Sequence, residues 1–224
     1  KGIAALQPAA VIMVGIAFGI NEQKQKIGDI LVSRQLMLYN LQRVGMEQRI
    51  MRGDRAHASS RLIDFFTSAE LDWNGATVRF GLLLTGETLV DNIDYRNQLQ
   101  SFEPEAVGGD MEGAGLYVAC QDAKIDWILV KGICDWADGN KAQDKDKRQQ
   151  LAADNAAEFV MQALQHASLR RPAKDNSDGT HNSPKGGNQN QHIGAMTVTG
   201  AGNSISIQQS ATGPLTGTKP SWQK

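Results

Sequence analysis

Apolar residues gather in short, β-branched runs over the first 166 positions, separated by stretches with helical spacing. Ala9–Gly15 reads AAVIMVG and leads into GIAFG, the pattern of a buried parallel strand followed by a tight, glycine-punctuated loop. Ile27–Ser33 (IGDILVS) repeats it, and Thr77–Leu84 (TVRFGLLL) and Trp127–Cys134 (WILVKGIC) read as two more strands, the second of them central. Arg61–Phe66 and the small, apolar stretch Gly113–Asp122 read as helices. Within Gln150–Leu164, the residues Leu151, Ala152, Asn155, Ala156, Phe159, Val160 and Ala163 share one helical face, so an amphipathic helix is expected to end the domain. Strands alternating with helices predict an α/β fold for residues 1–170.

The pattern stops at Arg171. RPAKDNSDGTHNSPKGGNQNQ offers almost nothing to bury, so packing cannot recover its ordering entropy, and 171–192 is expected to be a disordered linker. Alternation returns beyond it: Met196 and Val198 before a Gly-Ala-Gly-Asn break and Ile205 and Ile207 after it share one face, which makes 193–209 a candidate β-hairpin, with 210–224 a disordered tail.

Composition narrows the picture. The 23 basic and 24 acidic residues are interspersed and leave a net charge of −1, so no electrostatic footprint for nucleic acid or an anionic membrane is present. Cys120 and Cys134 lack CxxC or Cys/His spacing and sit among apolar residues, which predicts buried free thiols, no disulfide, no metal and a cytoplasmic setting. The run Ile3–Ile20 contains Pro8 and glycines, which suits a strand and loop better than a signal peptide or a membrane span.

The distinctive chemistry lies in GGDMEGAG at Gly108–Gly115 and, about twenty residues later, VKGICDWADGNK at Val130–Lys141. DMEGA resembles the (D/E)ME(G/A)A signature of purine nucleoside phosphorylases and of methylthioadenosine/adenosylhomocysteine nucleosidases. ICDWAD is similar to their strand ending in (S/C)D, and GDILVS at Gly28–Ser33 to their GDIVVS. The resemblance implies part of a nucleoside phosphorylase-type α/β sandwich around a mixed, mainly parallel sheet. It also implies cleavage of a purine N-glycosidic bond with no cofactor.

That chemistry needs an acid at the base, because the bond breaks toward an oxocarbenium-like sugar and an anionic purine. Asp135, at the C-terminal end of a strand, is the candidate: ligands in open α/β sheets collect there, and partial desolvation favours a protonated carboxyl. Glu112 is the candidate for the ribose, since a carboxylate accepts from both the 2′ and 3′ hydroxyls. By the resemblance, Met111 packs on the sugar, Gly15, Ile16 and Ala17 face the ligand, and Leu89 and Val90 in GETLVDN (Gly86–Asn92) line the purine pocket. His57 reads as a surface loop residue, and KAQDKDKR (Lys141–Arg148) as a solvated loop.

Two departures shape the expected activity. Hexameric phosphorylases hold phosphate with an Arg and a Ser where this chain has Met13 and Ile16, which favours hydrolysis over phosphate-dependent cleavage. The resemblance also starts at about the family's third strand, so the water-activating Glu of the nucleosidases has no counterpart after Lys1, and the chain reads as truncated. The context of CDWADGNK followed by LAADNAAEFV resembles phosphorylase-like domains of NTPase-linked immune receptors, which implies an adenine nucleoside or nucleotide, ATP included, as the partner of a defence effector. The tail is similar to short amyloid-type signalling motifs: it implies self-association into a homo-oligomer and coupling to an NTPase-type receptor. The competing reading is a catalytically incomplete signalling and assembly module.

Overall fold

The computed structural model describes residues 2–39, 42–44, 49–51, 55–142, 144–166, 196–200 and 203–207. In chain order these form α1 (Gly2–Leu6), β1 (Ala10–Gly19), β2 (Ile30–Leu38), β3 (Gln42–Val44), β4 (Arg49–Met51), β5 (Arg55–His57), α2 (Ser60–Leu71), β6 (Val78–Thr85), α3 (Ile93–Phe102), β7 (Ala106–Asp110), α4 (Gly113–Ala123), β8 (Asp126–Asp135), α5 (Lys145–His166), β9 (Met196–Gly200) and β10 (Asn203–Ile207).

Six strands make one mixed sheet in the order β5-β2-β6-β7-β1-β8. It closes on itself, because the start of β2 also pairs with β8, Ile30 opposite Gly132 and Val32 opposite Val130. The same edge of β2 serves two partners in turn, β8 at residues 30–32 and β5 at residues 35–37. Parallel pairing joins β1 to β8, β2 to β6 and β6 to β7, and the direction reverses where β7 meets β1.

The larger core lies between the sheet and the helices, with Ile30, Leu31, Leu62, Phe66, Ile128, Leu129, Phe159 and Val160 at most 1% exposed. Helix α5 reaches the sheet across Gly132, where an added β-carbon would lie 2.0 Å from the Ala152 carbonyl oxygen, so a side chain there would push the helix off the strand. A smaller cluster of Phe18, Tyr39, Leu82, Leu84, Val90, Leu99 and Ala137 lies beneath α3 and carries the loops described below.

Three boundaries differ from the sequence pattern. GIAFG is strand, not loop: β1 runs to Gly19 and the turn starts at Ile20, because β8 pairs with β1 from Ala10 to Phe18 and β7 pairs with Phe18 and Gly19. Lys145–Arg148 form the first turn of α5 rather than a loop. His57 belongs to β5, exposed beside Gln35, and not to a loop. The strand β7 and helix α3 have too little apolar periodicity to stand out in the sequence. The linker 171–192 and the tail 210–224 lie outside the described residues. β9 and β10 pair antiparallel, with Met196 opposite Ile207 and Val198 opposite Ile205.

Candidate active site

Asp135 stands opposite Phe18, Phe18 opposite Gly109, and Gly109 opposite Leu84, so one row crosses β8, β1, β7 and β6. Since β7 runs against β1, the chain leaving Asp110 doubles back along β1 toward Gly15, whose register partner is Lys131. The stretch Gly15–Phe18 therefore lies between two groups of polar side chains carried four residues apart on β8, about 13 Å of strand.

At one end is a buried charge cluster. The Lys131 ammonium, in a residue 2% exposed, lies 3.0 Å from Asp110 Oδ2 and 2.9 Å from Glu112 Oε2. Burial by itself lowers the pKa of Lys131, but the Asp110 and Glu112 carboxylates outweigh it and raise the pKa, so the group is a cation. Asp110 has no exposed side-chain surface and also accepts the Gly113 N–H at 3.1 Å, while Thr85 Oγ1 accepts that of Ala114 at 3.0 Å. The first turn of α4 is thereby capped by the ends of β7 and β6. Glu112 holds the N-cap position but makes no cap bond; its carboxylate, 56% exposed, has one oxygen on Lys131 and the other free of hydrogen bonds to described residues. Gly15 leaves room for the Lys131 side chain: a β-carbon there would meet Lys131 Nζ at 3.2 Å.

At the other end is Asp135, 4% exposed. A β-bulge next to it, where Ile133 and Asp135 oppose the consecutive residues Ala17 and Phe18, re-aims the strand end. Oδ1 accepts the Ala137 N–H at 2.9 Å, Oδ2 accepts the Cys134 thiol at 3.1 Å, and the Lys141 ammonium lies 3.5 Å from Oδ2. Burial first, and then the Asp135 charge, raises the Cys134 pKa, so this thiol is protonated and donates.

The rim is joined by three side-chain-to-backbone hydrogen bonds. Asn92 caps α3 by accepting the Tyr95 N–H at 2.9 Å, Asp91 accepts the Gly139 N–H at 3.1 Å, and the Tyr39 hydroxyl donates to the Thr88 carbonyl at 2.7 Å. Leu89 and Met111 are exposed apolar residues on this rim. Val90 is 3% exposed inside the smaller core, so its backbone rather than its side chain is what it can offer a base. Gly15 and Ala17 are buried and Ile16 half-buried in β1.

Glu112 and Asp135 stand out in the sequence, but their partners Lys131 and Lys141, and the Asp110 that shares Lys131, do not. Lys131 left a signal, a charge inside the apolar strand WILVKGIC, which cannot be buried without opposite charge nearby. Glu112 consequently has a structural partner that its glycine-rich neighbourhood did not suggest. Both cysteines are buried, as their apolar surroundings predict.

A family model described as the phosphorylase superfamily matches residues 2–165. The chain belongs to the phosphorylase superfamily. It is 30% identical over 184 residues to the death domain-containing ATP nucleosidase of Amphimedon queenslandica, covering 70% of this chain and 34% of that protein. It is 23% identical over 198 residues to the ATP nucleosidase Cap17 of Escherichia coli, covering 75% of this chain and 38% of that protein. The chain thus spans about a third of the length of these two relatives. Among solved structures, the fold matches the 5′-methylthioadenosine/S-adenosylhomocysteine nucleosidase of Neisseria meningitidis in complex with methylthio-immucillin-A, with a TM-score of 0.63 and 22% identity over 72% of this chain and 71% of the other. No helix among the described residues is long and apolar enough to cross a membrane.

Proposed function

We propose that this protein is a purine N-glycosidase that hydrolyses an adenine nucleoside or nucleotide, ATP included. The observation that carries this is the placement of a carboxylate held by Lys131 and a second, buried carboxyl four residues along the same strand, with the Gly15–Phe18 stretch of β1 between them. Lys131 takes Glu112 Oε2 and leaves Oε1 to accept the ribose hydroxyls. Asp135 takes up a proton from solvent and passes it to N7 as the bond between C1′ and N9 breaks. Water then adds to C1′ and its proton returns to solvent, yielding ribose or its 5′-substituted form and free adenine. Lys141 makes the longest of the three contacts to Asp135 and has a partly exposed side chain, so it is the partner that withdraws when the base arrives.

The names of the two relatives support ATP as substrate, and Met13 and Ile16, where the phosphorylases have an Arg and a Ser, support water as nucleophile. Incubating the full-length protein with ATP, AMP, adenosine and methylthioadenosine, with and without phosphate, tests this. Free adenine is expected at the same rate in both conditions; a rate that rises with phosphate and yields a 1-phosphorylated sugar would overturn hydrolysis.

For the tail we propose self-association, coupling the enzyme to other copies or to a receptor in an effector role. The register that sets Met196 against Ile207 and Val198 against Ile205 supports this, since a lone hairpin is marginal in water whereas stacked copies pair every edge. Fibre formation by a peptide of residues 188–209 is expected, and its loss on Val198→Pro; a peptide that stays monomeric at high concentration removes the proposal.

A further inference from the structure

Arg96 is a buried charge that the steps above leave unused. Its guanidinium, with 8% of the side chain exposed, donates from Nη1 to the Trp136 carbonyl at 2.8 Å and to Glu22 Oε1 at 3.0 Å, and its other nitrogens reach Asn97 Oδ1 at 3.4 and 3.3 Å. Asp138 also faces this charge. Three segments thus meet on one side chain: helix α3, the loop after β1, and the turn that follows Asp135.

That turn is strained. Ala137 is fully buried with φ at 52°, the left-handed region that disfavours a residue with a β-carbon. The Trp136 carbonyl and the Ala137 N–H belong to one planar peptide group, so the group that Arg96 holds by its oxygen is the one that donates to Asp135 Oδ1. Such a left-handed conformation persists only where its surroundings over-determine it. The surroundings here are Arg96 on the carbonyl of the preceding residue, the smaller core around Ala137, and the Asp91 bond to Gly139 just beyond.

We propose that Arg96 is a positioning residue for Asp135: by holding the Trp136 carbonyl against α3, it keeps the turn in the strained form that orients the carboxyl toward the base. The inference rests on the reading of Asp135 as the acid. A buried arginine that served stability alone would have no reason to act on the acid turn in particular.

The test compares Arg96→Met with wild type by amide hydrogen exchange and by kinetics on the adenine substrate. Exchange at the Ala137 amide is expected to rise at least about tenfold while the amides of Ile128–Val130 in β8 keep their protection. The kcat is expected to fall about 10- to 100-fold with KM within about threefold, the mark of a group that acts on the transition state. Adding Ala137→Gly should recover part of the lost kcat, because glycine adopts positive φ without strain. Unchanged exchange at Ala137, a loss of protection spread through β8, or a change confined to KM would each overturn the proposal. The amide measurement needs no turnover, so a wild-type protein that released no base would sink the nucleosidase reading and still decide whether Arg96 holds the turn.

Discussion

Lys131 and Asp135 are both almost fully buried ionisable residues on one strand, yet they are held in opposite ways. Lys131 is locked between two carboxylates, one of which, Asp110, has no access to water and also caps α4. Asp135 is held by a backbone N–H, a thiol and a more distant ammonium on a partly exposed loop. The first arrangement ties function to the fold, because removing Lys131 leaves the buried Asp110 carboxylate without its counter-ion. The second lets the carboxyl exchange partners when a ligand arrives. The contrast teaches that the ribose end should resist mutation for reasons of stability, and the base end for reasons of chemistry.

The sharpest separation should come from Asp135→Asn. The amide keeps the shape and the acceptor for Ala137 N–H but cannot supply a proton, so adenine release should fall by about 10²–10⁴ while the unfolding midpoint stays at the wild-type value. Turnover within about threefold of wild type would remove Asp135 from the acid role.

Lys131→Met should act in the other sense. It leaves Asp110 buried without its counter-ion, a change worth about 3–5 kcal/mol, read as a lower urea midpoint. A variant as stable as wild type would show that water reaches Asp110 and that the cluster is not closed.

Glu112→Gln probes the boundary between the two behaviours, because this carboxylate is half exposed yet charge-paired. A neutral amide accepts weaker hydrogen bonds, so affinity for the nucleoside should drop about tenfold with free adenine unaffected. Equal losses for nucleoside and base would place Glu112 outside the ribose site.

The smallest effect concerns the thiols. Burial pushes the Cys120 pKa up to about 11, and Cys134 is raised by burial and by Asp135. Both stay protonated at pH 8, so the native protein should resist iodoacetamide and become reactive only on unfolding. Rapid labelling of Cys134 in the native state would mean that the Asp135 turn opens readily.

The legible parts of this molecule were those whose signal is local. The strands β1, β2, β6 and β8 and the helix α5 announce themselves by apolar runs and periodicity, and Asp135 and Glu112 by motifs of six to eight residues. What was not legible depends on pairing between distant segments. GIAFG looks like a turn because of its glycines, but the β8 partner holds it extended. The short strand AVGGD of β7 is strand only because β6 and β1 flank it. Arg96 and Glu22 are 74 residues apart and neither sits in a recognisable motif, so their meeting at the acid turn required the fold.

The central claim, that one strand carries a structural end and a chemical end, is tested most directly by measuring adenine release and unfolding free energy on the same samples of wild type, Lys131→Met and Asp135→Asn. Asp135→Asn is expected to lose turnover at wild-type stability, whereas Lys131→Met loses stability and turnover together. An Asp135→Asn variant destabilised as much as Lys131→Met, or one that still releases adenine at the wild-type rate, would contradict the claim.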